Sequence, residues 1–442
     1  MRRYVTFVNI IYILAMTIIL NSYVLVKECL YTLLLLVPIF LMIISLAGIL
    51  TIKTASKRLK VCNHGAVLIV IFCATVVPSF IYHIVLAFYT IPADYITFLI
   101  SLGCCIFISS IVFSIGIICM YLTSVQMGIR WRLIGVICGL IPLVNLVVLS
   151  KILIIVTREV DYELEKERII NLEKGEEKCK TKYPILLVHG MFLRDYKMFN
   201  YWGRIPKTLE AHGARIFYGN HQSATSIEKS ANELAARIKK IVEETGCEKL
   251  NIIAHSKGGL DCRYAISECG ISEYVASLTT ISTPHRGCVF AEKLLAAATK
   301  KFKRRVAKIY NTTLKTLGDT EPDFMAAAND LTNEACIKLN EKLTLPEGIY
   351  TQSIGSIMNR PRSGRFPLNL TYRYVADFDG ENDGLVGENS FAWGEKYTLL
   401  RTSGRRGISH GDIIDLNREN IKDFDVRKFY VDLVHDLKEK EL

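Results

Sequence analysis

The chain has 442 residues, half of them hydrophobic, with 54 Lys and Arg against 43 Asp and Glu and a net charge of +11. That length suggests two or three domains. Residues 1–157 hold ten basic and only two acidic residues, so +8 of the excess lies in the most apolar third, which argues for flanks of membrane spans and against a nucleic-acid partner. Thirteen cysteines are scattered without CxxC or Cys/His spacing and read as mostly free thiols.

Five apolar runs approach the roughly 20 residues that cross a bilayer: about 4–22, 29–51, 65–88, 95–122 and 133–157. The first has no small-residue cleavage site and is followed at once by another run, unlike a signal peptide. Arg2 and Arg3 precede the first run. Lys53, Lys57, Arg58 and Lys60 separate the second from the third, and Arg130 and Arg132 separate the fourth from the fifth. The alternate loops carry only Lys27. With five crossings, this asymmetry puts the N-terminus in the cytoplasm and everything after 158 outside. Pro142 and Asn145 interrupt the fifth run; if 133–157 is re-entrant, the large domain is cytoplasmic instead. His83 is the ionisable group well inside a span, and it reads as a neutral histidine packed among helices. The region is expected to be an anchor, with the bilayer as its partner.

Residues 158–182 are dense in mixed charge and read as a solvated helix and linker. From 183 to 442 the pattern changes. PILLVHG (184–190) is a short apolar run, KTLEAHG (207–213) is helix-like, ARIFYGN (214–220) strand-like, and 226–246 has helical periodicity with a glycine stop. KLNIIAH (249–255) reads as a strand, KGGLDCRYAISECG (257–270) opens a helix, and VASLTTIST (275–283) is another strand. Such alternation predicts an α/β domain with a mostly parallel sheet and helices on both faces. Residues 291–345, with the basic run KKFKRRVAKIY, are expected to form a cap or lid, either drawn to anionic lipid or simply solvated.

Ser256 lies where a strand gives way to a helix, in Ala254-His255-Ser256-Lys257-Gly258. A strained strand-to-helix corner of this kind displays a serine nucleophile and tolerates only small residues two before and two after it. A base is then required. In hydrolases with this elbow the order is Ser, acid, His. His285 comes too soon, His435 sits in a helix-like run, and His410 lies in a glycine-rich loop at the right distance. TYRYVA (371–376) reads as a late strand, after which Asp377, Asp379 and Asp383 compete for the acid. The backbone N–H groups of Lys257, after the nucleophile, and Met191, after the early strand, are the oxyanion-hole candidates. The Lys257 side chain either favours an anionic substrate or points away.

Together these segments resemble the bacterial true lipases, the Pseudomonas and Burkholderia triacylglycerol lipase group of the α/β-hydrolase fold. YPILLVHGM resembles the family's first strand and oxyanion loop, and LNIIAHSKGGLDCRY through TTISTPHRG its elbow and following strand. NDGLV (382–386) resembles the segment bearing the acid, which selects Asp383, and SHGDIIDL (409–416) the one bearing His410. The resemblance implies a serine carboxylic-ester hydrolase with Ser256, Asp383 and His410 as its triad, a lipid or ester substrate and no catalytic cofactor. The family often carries a structural calcium, for which Asp412 would be one ligand, and a disulfide near NDGLV, where this chain has Glu388 and Asn389. Alanine and lysine replace the usual glycine and glutamine at 254 and 257. The motifs leave open whether water or another alcohol accepts the acyl group, as in an acyltransferase or glycolipid deacylase, and whether the domain only binds.

Overall fold

The computed structural model describes residues 6–52, 55–173, 175–191, 200–316 and 318–442. The expected basic positions Arg2, Arg3 and Lys53 lie outside them. The chain folds as two units, Met1–Asn171 and Leu172–Leu442.

The first unit is helical: α1 (Phe7–Leu20), α2 (Tyr23–Glu28), α3 (Thr32–Leu46), α4 (Lys57–Thr123), α5 (Gly128–Cys138) and α6, which begins at Val144 and runs to Leu172. A break at Asp94 (φ −152°, ψ 75°) makes α4 two arms, Lys57–Ile91 and Asp94–Thr123, both long and apolar enough to cross a membrane. The arms contain the expected third and fourth spans. They approach closely at two glycines: a Cβ on Gly65 would stand 2.7 Å from the carbonyl oxygen of Gly116. Helices α1 and α3 are apolar but have only 14 and 15 residues, fewer than the roughly 20 a straight crossing needs.

The expected fifth span is not one helix. The chain turns between α5 and α6, with Leu143 at φ 65°. Pro142 has no N–H to continue a helix and disfavours helical geometry in the residue before it. The stretch 158–182 is not solvated throughout, as its charge suggested. Its first part continues α6, and Glu159 and Glu163 are buried. His83 is buried too, with Nδ1 against the Ser79 carbonyl at 2.9 Å and Nε2 at 3.2 Å from Ser101 Oγ.

In the second unit, β1 (Ile185–Val188), β2 (Ile216–Tyr218), β3 (Leu250–His255), β4 (Val275–Ile281), β5 (Tyr350–Ser356) and β6 (Lys396–Leu400) form a parallel sheet in the order β2-β1-β3-β4-β5-β6. The helices are α7 (Ile205–Ala211), α8 (Ile227–Thr245), α9 (Lys257–Glu268), α10 (Val289–Ala297), α11 (Lys300–Thr316), α12 (Phe324–Asp330), α13 (Asn333–Lys342), α14 (Leu368–Asp379) and α15 (Val426–Glu439).

Strand side chains alternate between two cores, as a period of two requires. Ile185, Leu187, Ile253, Ile281 and Ile354 join Trp202, Leu209, Tyr430 and Val434 around α7 and α15. Leu186, Val188, Ile252, Ala254 and Leu278 join Leu234, Ile238, Cys262 and Ile266 of α8 and α9. Helix α8 starts with the Ser226 hydroxyl accepting from Lys229 N–H and stops at Gly246, whose φ of 66° suits glycine. The chain steps from β1 outward to β2 and returns to β3, so the carboxyl ends of β1 and β3 flank the crevice where such sheets bind ligands.

One strand expectation fails. TYRYVA lies in helix α14, where Leu368 and Val375 are buried seven residues apart, a helical repeat. The late strand is β5, YTQSIGS, whose polar residues hid it. Gly355 is required there, because a Cβ would meet the Phe391 ring at 2.4 Å.

Candidate active site

Ser256 follows β3 and precedes α9, at φ 55° and ψ −131°. Non-glycine residues seldom adopt positive φ, and such strain persists only where the surroundings enforce it. Here the surroundings are crowded on every side. A Cβ on Gly190 would lie 2.7 Å from Ser256 Cβ, one on Gly258 2.4 Å from the His189 carbonyl, and one on Gly259 2.2 Å from Thr283 Oγ1. Thr283 Oγ1 in turn donates to the Ser256 carbonyl at 2.9 Å.

Asp383 and His410 meet. His410 Nδ1 is 2.7 Å from Asp383 Oδ2, and His410 N–H donates to the Asp383 carbonyl at 2.9 Å. The other carboxylate oxygen, Oδ1, accepts from Leu385 N–H at 3.0 Å and Val386 N–H at 2.9 Å. Only Oδ2 faces the ring, so the proton stays on Nδ1 and the Nε2 lone pair is left available. The rival acids lie elsewhere. Asp377 is exposed, and Asp379 accepts from Val289 and Phe290 N–H at the start of α10. His285 is buried against Thr280 Oγ1, Arg263 and the Trp393 ring, and burial beside Arg263 holds it well below the usual imidazole range. His435 is on α15 with Nδ1 toward the Lys178 carbonyl.

A relay that the motifs do not reveal joins three of these pieces. Gly190 N–H donates to Tyr201 Oη at 3.0 Å, Tyr201 Oη lies 2.6 Å from His255 Nδ1, and His255 Nε2 is 3.1 Å from the His410 carbonyl. Burial, with His410 alongside, holds His255 well below the ordinary imidazole pKa. The ring is therefore neutral: Nε2–H donates to the carbonyl and Nδ1 accepts from the tyrosine hydroxyl. The His255 and His410 rings lie with centroids 4.5 Å apart and planes tilted by 51°, which brings the histidine loop beside the elbow. His255 stands within the elbow motif but carries no sequence signal of this role, and Tyr201 belongs to no motif.

Met191, expected as one oxyanion donor, follows β1, and Lys257, expected as the other, is the first residue of α9. Among the described residues, no hydrogen bond occupies either N–H. The α9 dipole adds positive potential at the serine. Residues 192–199, next to Met191, lie outside the described residues. The Lys257 side chain points away from the crevice. It is 1% exposed, with Nζ 2.7 Å from Asp261 Oδ1 and 2.9 Å from Ser230 Oγ, so it does not select an anionic substrate.

The residues around Asp412 do not fit calcium. Its Oδ2 accepts from Ser409 N–H and Oγ, and Oδ1 pairs with Arg406 at 3.0 Å. Arg406 also pairs with Glu419, which binds Arg365. A guanidinium thus supplies the positive charge beside Asp412. Burial raises the Asp412 pKa while Arg406 opposes that rise. Among the described residues, no three His, Cys, Asp or Glu groups are arranged to hold a metal. All thirteen cysteines are free.

The parallel sheet, elbow and acid–histidine pair define an α/β-hydrolase domain. Residues 183–396 match the alpha/beta hydrolase fold family, a stretch that includes Ser256 and Asp383 and ends before His410. The chain is 34% identical over 164 residues to a triacylglycerol lipase of Pseudarthrobacter phenanthrenivorans, covering 34% of this chain and 51% of that one. It is also 34% identical over 164 residues to a triacylglycerol lipase of Burkholderia plantarii (34% and 45% covered) and 31% over 185 residues to one of Vibrio cholerae (40% and 58% covered). The domain is thus related to triacylglycerol lipases, and the chain spans about half the length of the curated relatives it matches.

Tyr201→Phe leaves the Gly190 N–H and His255 Nδ1 without their shared hydroxyl, at a cost of roughly 1–3 kcal/mol for each unpaired buried group. Denaturant unfolding of the full chain should register that loss; an unchanged midpoint would discard the relay. Arg406→Met should destabilise by up to about 3 kcal/mol by stranding Asp412, whereas a calcium chelator should leave the wild-type midpoint in place. A drop in the midpoint on chelation would show that a metal, not Arg406, holds the histidine loop.

Proposed function

We propose that this protein is a membrane-associated serine hydrolase that cleaves carboxylic esters, with lipid esters as its substrate class. The observation that carries the reading is the Asp383–His410 pair, locked by backbone donors and held through His255 beside the strained Ser256. Ser256 Oγ attacks the ester carbonyl while His410 Nε2 takes its proton. Asp383 holds the tautomer and stabilises the imidazolium. Met191 and Lys257 N–H groups stabilise the oxyanion. His410 then returns the proton to the departing alcohol, and water repeats the cycle on the acyl-enzyme.

Two further facts support the lipid class. The relatives above are named triacylglycerol lipases, and the first unit has two helices long and apolar enough to enter a bilayer. Helix α11, in the segment between β4 and β5, has seven Lys and Arg and no acid. Its exposed Phe302 and Ile309 suit a surface facing anionic lipid.

Ser256→Ala should lower hydrolysis of a p-nitrophenyl acyl ester by at least about 10³-fold while leaving the unfolding midpoint near wild type. A folded variant that retains activity would end this reading.

A further inference from the structure

Among the described residues of the helical unit, the ion pairs that join separate helices lie at two places. At one, the start of α4, the end of α4, the start of α5 and the middle of α6 meet on a single carboxylate. Glu159 Oε1 accepts from Arg58 Nη1 at 2.6 Å and Val125 N–H at 3.1 Å; Oε2 accepts from Ser124 Oγ at 2.6 Å and Gln126 N–H at 3.1 Å. Arg58 also donates to the Thr123 carbonyl, and Arg132 to the Tyr121 and Ser124 carbonyls. A carboxylate this buried needs four donors of this kind. At the other end, Lys27 Nζ reaches Asp94 at 3.0 Å and Thr97 at 2.6 Å, beside the break in α4.

These contacts fix the path of the expected fifth span. Helix α5 leaves the Glu159 end, and α6 returns to it. From Gly128 to Cys138 the length is about 16 Å, and from Val144 to Glu159 about 24 Å, against about 45 Å for the Asp94–Thr123 arm at 1.5 Å per residue. Neither limb covers the roughly 30 Å of a hydrocarbon core. The limbs pack together midway, where a Cβ on Gly135 would collide with Tyr121 Oη and Ile152 Cδ1. The turn is apolar and bare: Leu140 is 92% and Leu143 77% exposed, with Val136, Ile137, Leu146 and Val147 exposed around them. No charged residue stands between Arg132 and Lys151.

We propose that α5 and the first half of α6 form a re-entrant hairpin inserted into one leaflet, so that the chain emerges on the face from which the hairpin entered. The occupant of the exposed turn is the acyl region of a bilayer, which the exposed apolar side chains of the two α4 arms also suit. The basic residues identify the face. Among the described residues, Lys57, Arg58, Lys60, Arg130, Arg132 and Arg158 cluster toward the Glu159 end, Lys151 lies part-way along the α6 limb, and Lys27 alone lies at the Asp94 end. Positive residues mark the cytoplasmic side. The hydrolase unit that follows α6 is therefore cytoplasmic, opposite to the side that five crossings imply. Resting on the ester-hydrolase reading, this narrows the substrate class to lipid esters presented by the cytoplasmic leaflet.

The test uses the full chain with an epitope after Leu442, expressed in bacterial membranes, and compares protease digestion in intact spheroplasts with that in inverted vesicles. The epitope should survive in spheroplasts and be lost in inverted vesicles. Loss in spheroplasts and survival in inverted vesicles would overturn the hairpin. Hydrolysis of a short-chain fluorogenic phospholipid added outside should run at least tenfold faster in inverted vesicles than in spheroplasts. Protease protection in spheroplasts without ester cleavage in either preparation would uphold the hairpin and refute the ester reading alone.

Discussion

Ser256 is held in a backbone conformation that serine avoids, and much of the domain can be understood as the enclosure that keeps it there. The strain at such a residue is of order 1–3 kcal/mol. What stabilises it is closeness: β1, β3 and β4 converge so tightly that Gly190, Gly258 and Gly259 leave no room for a Cβ. Gly190 and Gly258 let the end of β1 touch the corner, and Gly259 admits the Thr283 side chain. The corner projects the serine from the carboxyl edge of the sheet, at the crevice between β1 and β3, while the start of α9 aims its N–H groups at the same place.

Two buried polar systems surround this corner and do different work. On the crevice side, the neutral His255 links Gly190, after β1, to the His410 loop through Tyr201 and a carbonyl, so the two segments share one set of hydrogen bonds. Beneath it, Lys257 bridges Ser230 and Asp261, whose other oxygen lies 3.4 Å from His221 Nε2, and burial lifts the Asp261 pKa to about 6 against the pull of the lysine. A lysine directly after a nucleophile looks like a specificity element when read along the chain. In three dimensions it anchors α9 to α8. Likewise the charge that could have invited calcium near Asp412 is met by Arg406, a side chain six residues away.

The alternation of β1, β3 and β4 was legible because buried parallel strands are short apolar runs, and α8 was legible because its apolar residues keep the helical period between a serine cap and a glycine stop. Strand β5 was not, since its Thr, Gln and Ser residues are satisfied by partners from distant segments: Gln352 donates to Thr279 Oγ1, and Ser353 to the Trp393 carbonyl. TYRYVA looked like a strand from its aromatic and β-branched composition, yet tertiary packing of Leu368 and Val375 made it a helix. Ordering rules alone placed His410, whereas the choice among three aspartates needed the resemblance and is explained by geometry: only Asp383 has one oxygen occupied by backbone and the other toward the ring. Tyr201 was invisible because it acts only through neighbours that the fold brings to it. The interruption at Pro142 was visible in the chain, but its consequence depended on Glu159, a residue that composition assigned to a solvated stretch.

Ester cleavage by this chain requires above all that Ser256 be an activated nucleophile. The most direct measurement is reaction of the detergent-solubilised full chain with a fluorophosphonate, followed by peptide mass mapping. A single phosphonylated site at Ser256 is expected, with labelling lost in His410→Ala while the chain stays folded. An unmodified Ser256 in the folded wild-type chain, or undiminished labelling in His410→Ala, would contradict that role.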